Sequence, residues 1–174
     1  MRKAGIDGAV FLMMIQRLLP LLTSLFWLFV FYIPSDFLLS SNIRPKVAII
    51  CVYFWLLNRP DIFNLGSVFV LGIVEDVISS APIGSNAFAL LLLYILVTNL
   101  SKYFNSKPFS VMWYGFALLS FVVIFARWLV VSVYYSQFLP VPILLFSFLA
   151  TIAFYPIISI ANVFVQNNLI DDEV

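Results

Sequence analysis

The chain contains no histidine, a single cysteine and few charged residues, and these shortages exclude several classes of function. Without histidine, the sequence offers no His-based metal site and no Ser-His or Cys-His nucleophile pair. Cys51 alone cannot form an intrachain disulfide, and its place in an apolar run favours a small buried hydrophobic side chain. The formal net charge is +1, so the basic excess of nucleic-acid-binding proteins is missing, and we expect no nucleic-acid partner.

Apolar residues dominate what remains. They make up 64% of the 174 residues, charged residues make up 10%, and the mean hydropathy is +1.11. This leaves too little polar surface for a soluble globule, so we predict an all-α polytopic membrane protein in the lipid bilayer. A single transmembrane domain over residues 1–174 would contain six transmembrane helices, at about residues 9–33, 44–59, 62–80, 85–100, 111–135 and 141–165.

The first apolar segment admits two interpretations. Gln16 and Arg17 interrupt it, so it forms either one tilted helix or an interfacial stretch followed by a short span. No small-x-small cleavage site closes the segment, and further apolar segments follow. We therefore expect a retained signal anchor rather than a removed signal peptide.

The distribution of lysine and arginine predicts the orientation. With both termini inside, five basic residues lie in cytoplasmic segments (Arg2, Lys3, Arg59, Lys102 and Lys107) and two lie in outer loops (Arg44 and Lys46). Cytoplasmic segments carry the excess of positive charge in membrane proteins. The pattern therefore predicts a multi-pass membrane protein with both termini in the cytoplasm.

The third predicted span carries two adjacent carboxylates, Glu75 and Asp76, and ends in a turn that contains Pro82 and Gly84. A charge in hydrocarbon costs several kcal/mol unless it is paired or hydrated. Arg127, in the fifth span, lies about 24 Å from the start of its helix and Asp76 about 21 Å from the start of its own. The matching depths predict that Arg127 pairs with Asp76 or Glu75. The alternative is that each charge snorkels separately to the outer interface.

One face of the third span combines a glycine with one of these carboxylates. Four residues share this face at spacings of four, three and four: Leu65, Phe69, Gly72 and Asp76. A glycine lets a neighbouring helix approach the backbone closely. Gly72 therefore either relieves crowding within the protein or makes a specific contact with a partner protein.

No catalytic residue, cofactor or metal ligand emerges from this region. Glu75 and Asp76 diverge by about 100° on a helix, so they cannot act as facing carboxylates that share a proton. The neighbouring residues include no nucleophile, no metal-ligand set and no glycine-rich phosphate loop. We therefore expect a protein that is not an enzyme.

These residues resemble the bacterial rod-shape-determining MreD family. The similarity rests on Phe69-x-x-Gly72-x-x-x-Asp76 followed by Gly84, and on Arg44-Pro45 ahead of a short second span. Chain length and the six-span layout are also similar. Two positions depart from the family pattern: Glu75 stands where an apolar residue is usual, and Ser80 where a glycine is common.

The resemblance implies a non-enzymatic component of the cell-elongation machinery, the elongasome, that lies in the bacterial inner membrane and maintains rod shape. Such a protein would link an MreC-like bitopic protein and the cytoplasmic MreB filament to lateral peptidoglycan synthesis. The implied synthase partner is RodA with a class B penicillin-binding protein, and a second copy of the chain, forming a homodimer, is a further expectation. The family also resembles in fold the substrate-binding subunits of energy-coupling-factor transporters.

A different class of function stays open from the sequence, namely a small-molecule (vitamin) binding subunit of a membrane transporter. It is suggested by the fold analogy and by Asn86, Asn99 and Asn162 within or near spans. Fold analogy alone does not establish function. A transporter subunit would show an enclosed cavity lined by convergent polar groups, whereas a scaffold would show a filled interior.

Overall fold

The computed structural model describes residues 18–32, 44–104 and 108–168, and these residues form six helices and no strand. The helices are α1 (Leu18–Tyr32), α2 (Val47–Asn58), α3 (Leu65–Ser79), α4 (Ser85–Phe104), α5 (Phe109–Tyr134) and α6 (Val141–Gln166). The all-α class is therefore confirmed. The choice between the two forms of the first segment depends on residues 9–17, which lie outside the described residues.

Two of these helices are long and apolar enough to cross a membrane by themselves. α5 and α6 each have 26 residues and a mean hydropathy of 2.3, which corresponds to about 39 Å of helix. α2 has 12 residues, or about 18 Å, which is shorter than the hydrocarbon core of about 30 Å. Six membrane crossings therefore stay a prediction.

The short helix α2 forms the centre of the bundle. Its residues 47–56 are all at most 3% exposed, so the helix is buried on every side. The sequence explains this, because α2 is apolar all round and has no polar face to turn toward water. α2 packs mainly against α4 and α6. The Tyr53 ring makes edge contacts with Phe116 and Tyr155, at centroid distances of 5.2 and 5.9 Å.

The start of α2 is held by polar side chains of α6 rather than by a cap of its own. Thr151 Oγ1 accepts a hydrogen bond from the Lys46 backbone N–H at 2.8 Å, and the Ser147 hydroxyl donates to the Arg44 carbonyl at 2.9 Å. The Lys46 side chain makes no capping bond. Pro45 lies just outside the helix, where its missing N–H costs no helical hydrogen bond.

The two helices that carry the predicted motif differ slightly from the predicted bounds. α3 begins at Leu65 because the Asn64 side chain accepts the Ser67 N–H at 2.9 Å, which is a standard N-cap. α4 continues to Phe104, past the predicted end at residue 100. α3 and α4 form the most extensive helix pair in the described residues.

Candidate functional site

The turn between α3 and α4 is built around a left-handed residue, Ser80. Its φ is 52°, its N–H donates to the Val77 carbonyl at 3.4 Å, and the Ala81 N–H donates to the Asp76 carbonyl at 3.1 Å. This pair of bonds is a Schellman termination, whose left-handed position usually holds glycine. The serine adopts that conformation at a small steric cost. The departure from the family pattern at Ser80 therefore leaves this type of turn intact.

Asp76 closes the turn by capping the next helix with its carboxylate. Oδ2 accepts the Gly84 N–H at 2.7 Å, and Oδ1 accepts the Asn86 N–H at 2.8 Å and the Ser85 hydroxyl at 3.0 Å. The Ala87 N–H lies at 3.4 Å from Oδ2. The first N–H groups of a helix lack partners inside the helix and carry partial positive charge. Asp76 is 0% exposed, and these donors stabilise its buried charge.

The two glycines of the motif make this capping geometry accessible. Gly84 has a φ of +96°, which favours glycine, and this conformation directs its N–H to Asp76. A Cβ added to Gly72 would lie 2.4 Å from the Ala87 Cα, so α3 and α4 touch there through their backbones. Gly72 therefore serves packing within the chain. Phe69, on the same predicted face, is 48% exposed and stays available to lipid or a partner.

Glu75 joins three helix ends in a second buried polar group. Its Oε1 accepts the Tyr32 hydroxyl of α1 at 3.3 Å and lies 3.6 Å from Lys46 Nζ at the start of α2. Glu75 itself is 2% exposed. An apolar residue at this position could not hold Lys46 in the bundle, since a partly buried cation needs a counter-charge.

The predicted ion pair of Arg127 is wrong. The Asp76 carboxylate contacts helix α4, and Glu75 contacts Lys46 and Tyr32, so neither carboxylate pairs with Arg127. Arg127 Nε is buried and has no hydrogen-bond partner within the described residues. The depth estimate nevertheless located Arg127 at the correct end of the bundle, because Arg127 and Ser79 line one cavity.

Sequence reasoning missed Tyr32 and Lys46 as partners of Glu75 because both lie at predicted span ends, where interfacial positions were assumed. A usable signal was present. In a bundle whose helices alternate in direction, the end of α1, the start of α2 and the end of α3 lie on the same side. Residues near those three ends could have been grouped before the structure was known.

The cavity beside this group has a volume of about 360 Å³. The described residues that line it come from the end of α1, the segment before α2, the end of α3, the turns that join α3 to α4 and α5 to α6, and α5 and α6 themselves. They are Tyr32, Arg44, Lys46, Ser79, Ala81, Pro82, Ile124, Arg127, Trp128, Val131, Tyr135, Leu139, Pro140, Ile143, Leu144 and Ser147. The Arg44 guanidinium carbon lies 5.1 Å from the Tyr32 ring centroid, which is a cation–π contact. Among the described lining residues, the cationic side chains are those of Arg44, Lys46 and Arg127.

The three asparagines that suggested a transporter do not converge on this cavity. Asn86 donates to the Ser79 hydroxyl at 3.3 Å, and Asn162 accepts the Trp27 indole N–H at 3.2 Å. Asn99 is exposed on α4. None of the three lines the cavity. Among the described residues, no group of three or more His, Cys, Asp or Glu side chains is arranged to hold a metal ion.

Comparison with known proteins finds a related sequence but no related solved structure. An uncharacterized protein of Rickettsia prowazekii (strain Madrid E) is 28% identical over 120 residues, which are 69% of this chain and 68% of that protein. No solved structure matches the chain, so the resemblance to energy-coupling-factor subunits stays a prediction.

The sequence model of the rod shape-determining protein MreD matches residues 11–162, which is most of the chain. Proteins of this family determine rod shape in the inner membrane, where they work with MreC and the membrane elongation machinery. This match agrees with the motif that joins α3 and α4. The chain belongs to the MreD family of rod shape-determining proteins.

Proposed function

We propose that this protein is a non-enzymatic scaffold of the elongasome. In this role it links an MreC-like bitopic protein and the cytoskeletal filament to lateral peptidoglycan synthesis by RodA with a class B penicillin-binding protein. The observation that carries the proposal is that three residues of the motif, Gly72, Asp76 and Gly84, form the contacts between α3 and α4. A motif devoted to fixing helix geometry suits a protein whose surface is its functional part.

A six-span topology with cytoplasmic termini fits the arrangement of helix ends. Residues of the α1 end, the α2 start, the α3 end and the α5 end all line one cavity, for example Tyr32, Lys46, Ser79 and Tyr135. Alternating helix directions bring these ends together, and the positive-inside rule assigns them to the outer side. In this topology, α1 to α6 form one transmembrane domain and the cavity faces the periplasm.

The two long helices offer surfaces for partner helices. Only 39% of the apolar window of α5 and 33% of that of α6 are buried within the protein. Large apolar side chains stay exposed on α5, such as Leu118 and Phe121, and on α6, such as Phe146 and Leu149. In a membrane these faces contact either lipid or the transmembrane helices of MreC-like, RodA-like or second MreD chains.

Depletion of the protein in its host tests this proposal. We expect rods to become spheres, and we expect the wild-type chain to restore rods when it is supplied in trans. Asp76→Asn should fail to restore them, whereas the matched control Asp61→Asn should succeed, because the Asp61 side chain is 62% exposed and lies outside the motif. Unchanged cell shape on depletion would contradict the scaffold.

A vitamin-binding transporter subunit is the second candidate, and the cavity of about 360 Å³ is the observation that favours it. The separate positions of Asn86, Asn99 and Asn162 argue against it. The same depletion strain distinguishes the two functions. Loss of uptake of one vitamin with normal cell shape would support the transporter.

A further inference from the structure

A proline inside the long helix α6 separates two segments that are anchored to different helices. Before Pro156, the side chains of Ser147 and Thr151 hydrogen-bond to backbone groups at the start of α2. After it, Asn162 accepts the Trp27 indole N–H of α1 at 3.2 Å. A change of helix direction at the proline would therefore move one set of contacts relative to the other.

The hydrogen bond that Pro156 removes from α6 is replaced from outside the helix. Proline has no backbone N–H, so the carbonyl four residues earlier loses its helical donor. In α6 this carbonyl belongs to Ile152. The indole N–H of Trp113, on α5, donates to the Ile152 carbonyl at 3.4 Å. A side chain of one membrane-length helix thus supplies the donor that the other helix lacks.

Two more aromatic side chains of α5 contact α6 beside the proline. The Phe116 and Phe109 rings stack on the Tyr155 ring, at centroid distances of 4.3 and 5.9 Å. Phe109, Trp113 and Phe116 are spaced by four and three residues, so they share one face of α5. Tyr155 directly precedes Pro156 and is 2% exposed. This face of α5 therefore holds α6 in the helical turn before the proline.

We propose that Pro156 is a hinge in α6 and that the Trp113 indole holds this hinge in one conformation. When the Trp113 bond breaks, the Ile152 carbonyl has no helical donor, and the segment after Pro156 bends relative to the segment before it. That later segment carries exposed apolar side chains, such as Ile160 and Phe164. The hinge thus sets the direction in which this surface faces. The inference goes beyond the scaffold function and does not depend on it.

Distance measurements by double electron–electron resonance on the purified full-length chain test the hinge. Spin labels at Leu145→Cys and Phe164→Cys report on the two segments, because these side chains are 47% and 68% exposed. The two positions are 19 residues apart, which corresponds to about 28 Å along a straight helix. The native Cys51 is 0% exposed, and treating the chain without the two introduced cysteines checks that Cys51 does not take up the label.

We expect a narrow distance distribution in the labelled chain. In Trp113→Phe, which removes the indole donor and keeps an aromatic ring, the distribution should become about twice as broad and shift to shorter distances. Adding Pro156→Ala to Trp113→Phe should restore the narrow distribution, because position 156 then supplies a backbone N–H to the Ile152 carbonyl. Trp128→Phe is the matched control, since its indole N–H donates to the Leu139 carbonyl outside α6, and it should change nothing.

Several results would overturn the proposal. An unchanged distribution in Trp113→Phe would show that α6 is held without the indole, and a broad distribution with Trp113 present would show that the indole does not hold it. Equal broadening in Trp128→Phe would indicate a general effect of tryptophan removal from α5. If Trp113→Phe does not fold, its combination with Pro156→Ala decides the question. A folded chain with a narrow distribution supports the hinge, whereas a broad distribution or failure to fold contradicts it.

Discussion

The carboxylate of Asp76 and the guanidinium of Arg127 lie at the same end of one apolar bundle, yet they are accommodated in different ways. Asp76 accepts hydrogen bonds from N–H groups at the start of α4, so backbone dipoles compensate its charge. Arg127 lies beside the end of α5 and the start of α6, and its Nε lacks a partner in the described residues. The backbone N–H groups at a helix start can compensate an anion, whereas a cation in the bundle needs an anionic or acceptor group from another part of the structure.

Removing the Asp76 carboxylate should have the largest effect on stability. Asp76→Ala removes the acceptor of the buried Asn86 N–H and of the partly buried Gly84 N–H, and we expect a loss of about 3–4 kcal/mol of unfolding free energy. Denaturation of the purified protein by SDS titration measures this loss. The control is Asp61→Ala, whose side chain is 62% exposed and should change stability by less than about 0.5 kcal/mol. Similar losses in both variants would disprove the capping role.

A substitution that forces α3 away from α4 should destabilise the protein nearly as much. The methyl group in Gly72→Ala would lie 2.4 Å from the Ala87 Cα, and backbone cannot move away as a side chain can. We expect about 2–3 kcal/mol of destabilisation from overpacking. Gly66→Ala is the matched control, because its added Cβ meets only the Asn64 side chain, at 3.3 Å. Thermal unfolding in detergent compares the two, and a Gly72→Ala variant as stable as wild type would refute the close contact.

Neutralising Glu75 should affect both regions, because Glu75 is adjacent to Asp76 in the chain and its side chain lies 3.6 Å from Lys46, which lines the cavity. Glu75→Gln removes the counter-charge of Lys46, and we expect about 2 kcal/mol of destabilisation. Glu75→Gln combined with Lys46→Gln should recover part of this loss, because both charges are then absent. A double-mutant cycle with a coupling energy near zero would show that the 3.6 Å contact has no energetic importance.

The smallest effect should come from the left-handed turn, and it should have the opposite sign. Ser80→Gly relieves the cost of a φ of 52° and should stabilise the protein by about 0.5–1 kcal/mol, reduced by the extra entropy of glycine in the unfolded chain. Ser136, also at φ 52°, should respond in the same direction. An increase in Tm of a few degrees would be measured by thermal denaturation. A decrease in both variants would disprove the strain argument.

The sequence by itself determined the all-helical class and drew attention to the Glu75–Asp76 stretch. Both follow from local properties, because hydropathy and the energetic cost of charge in an apolar segment depend only on neighbours along the chain. The sequence also placed Gly72 on the Asp76 face, where a glycine permits close approach of a helix, but it left open whether that helix belongs to this chain or to a partner. The resemblance to the MreD family was confirmed by the match over residues 11–162.

Only the tertiary structure decided which groups meet. The depths of Arg127 and Asp76 along their helices placed both at one end of the bundle, where Arg127 and Ser79 line one cavity. Depth does not specify rotation about the helix axis or the distance between axes. Helix rotation and interaxial distance decide that Asp76 contacts the start of α4 and that Glu75 contacts Lys46. They also decide that the 12-residue helix α2 is buried on all sides. A hydrogen bond is sensitive to tenths of an ångström, and helical periodicity alone does not define positions to that accuracy.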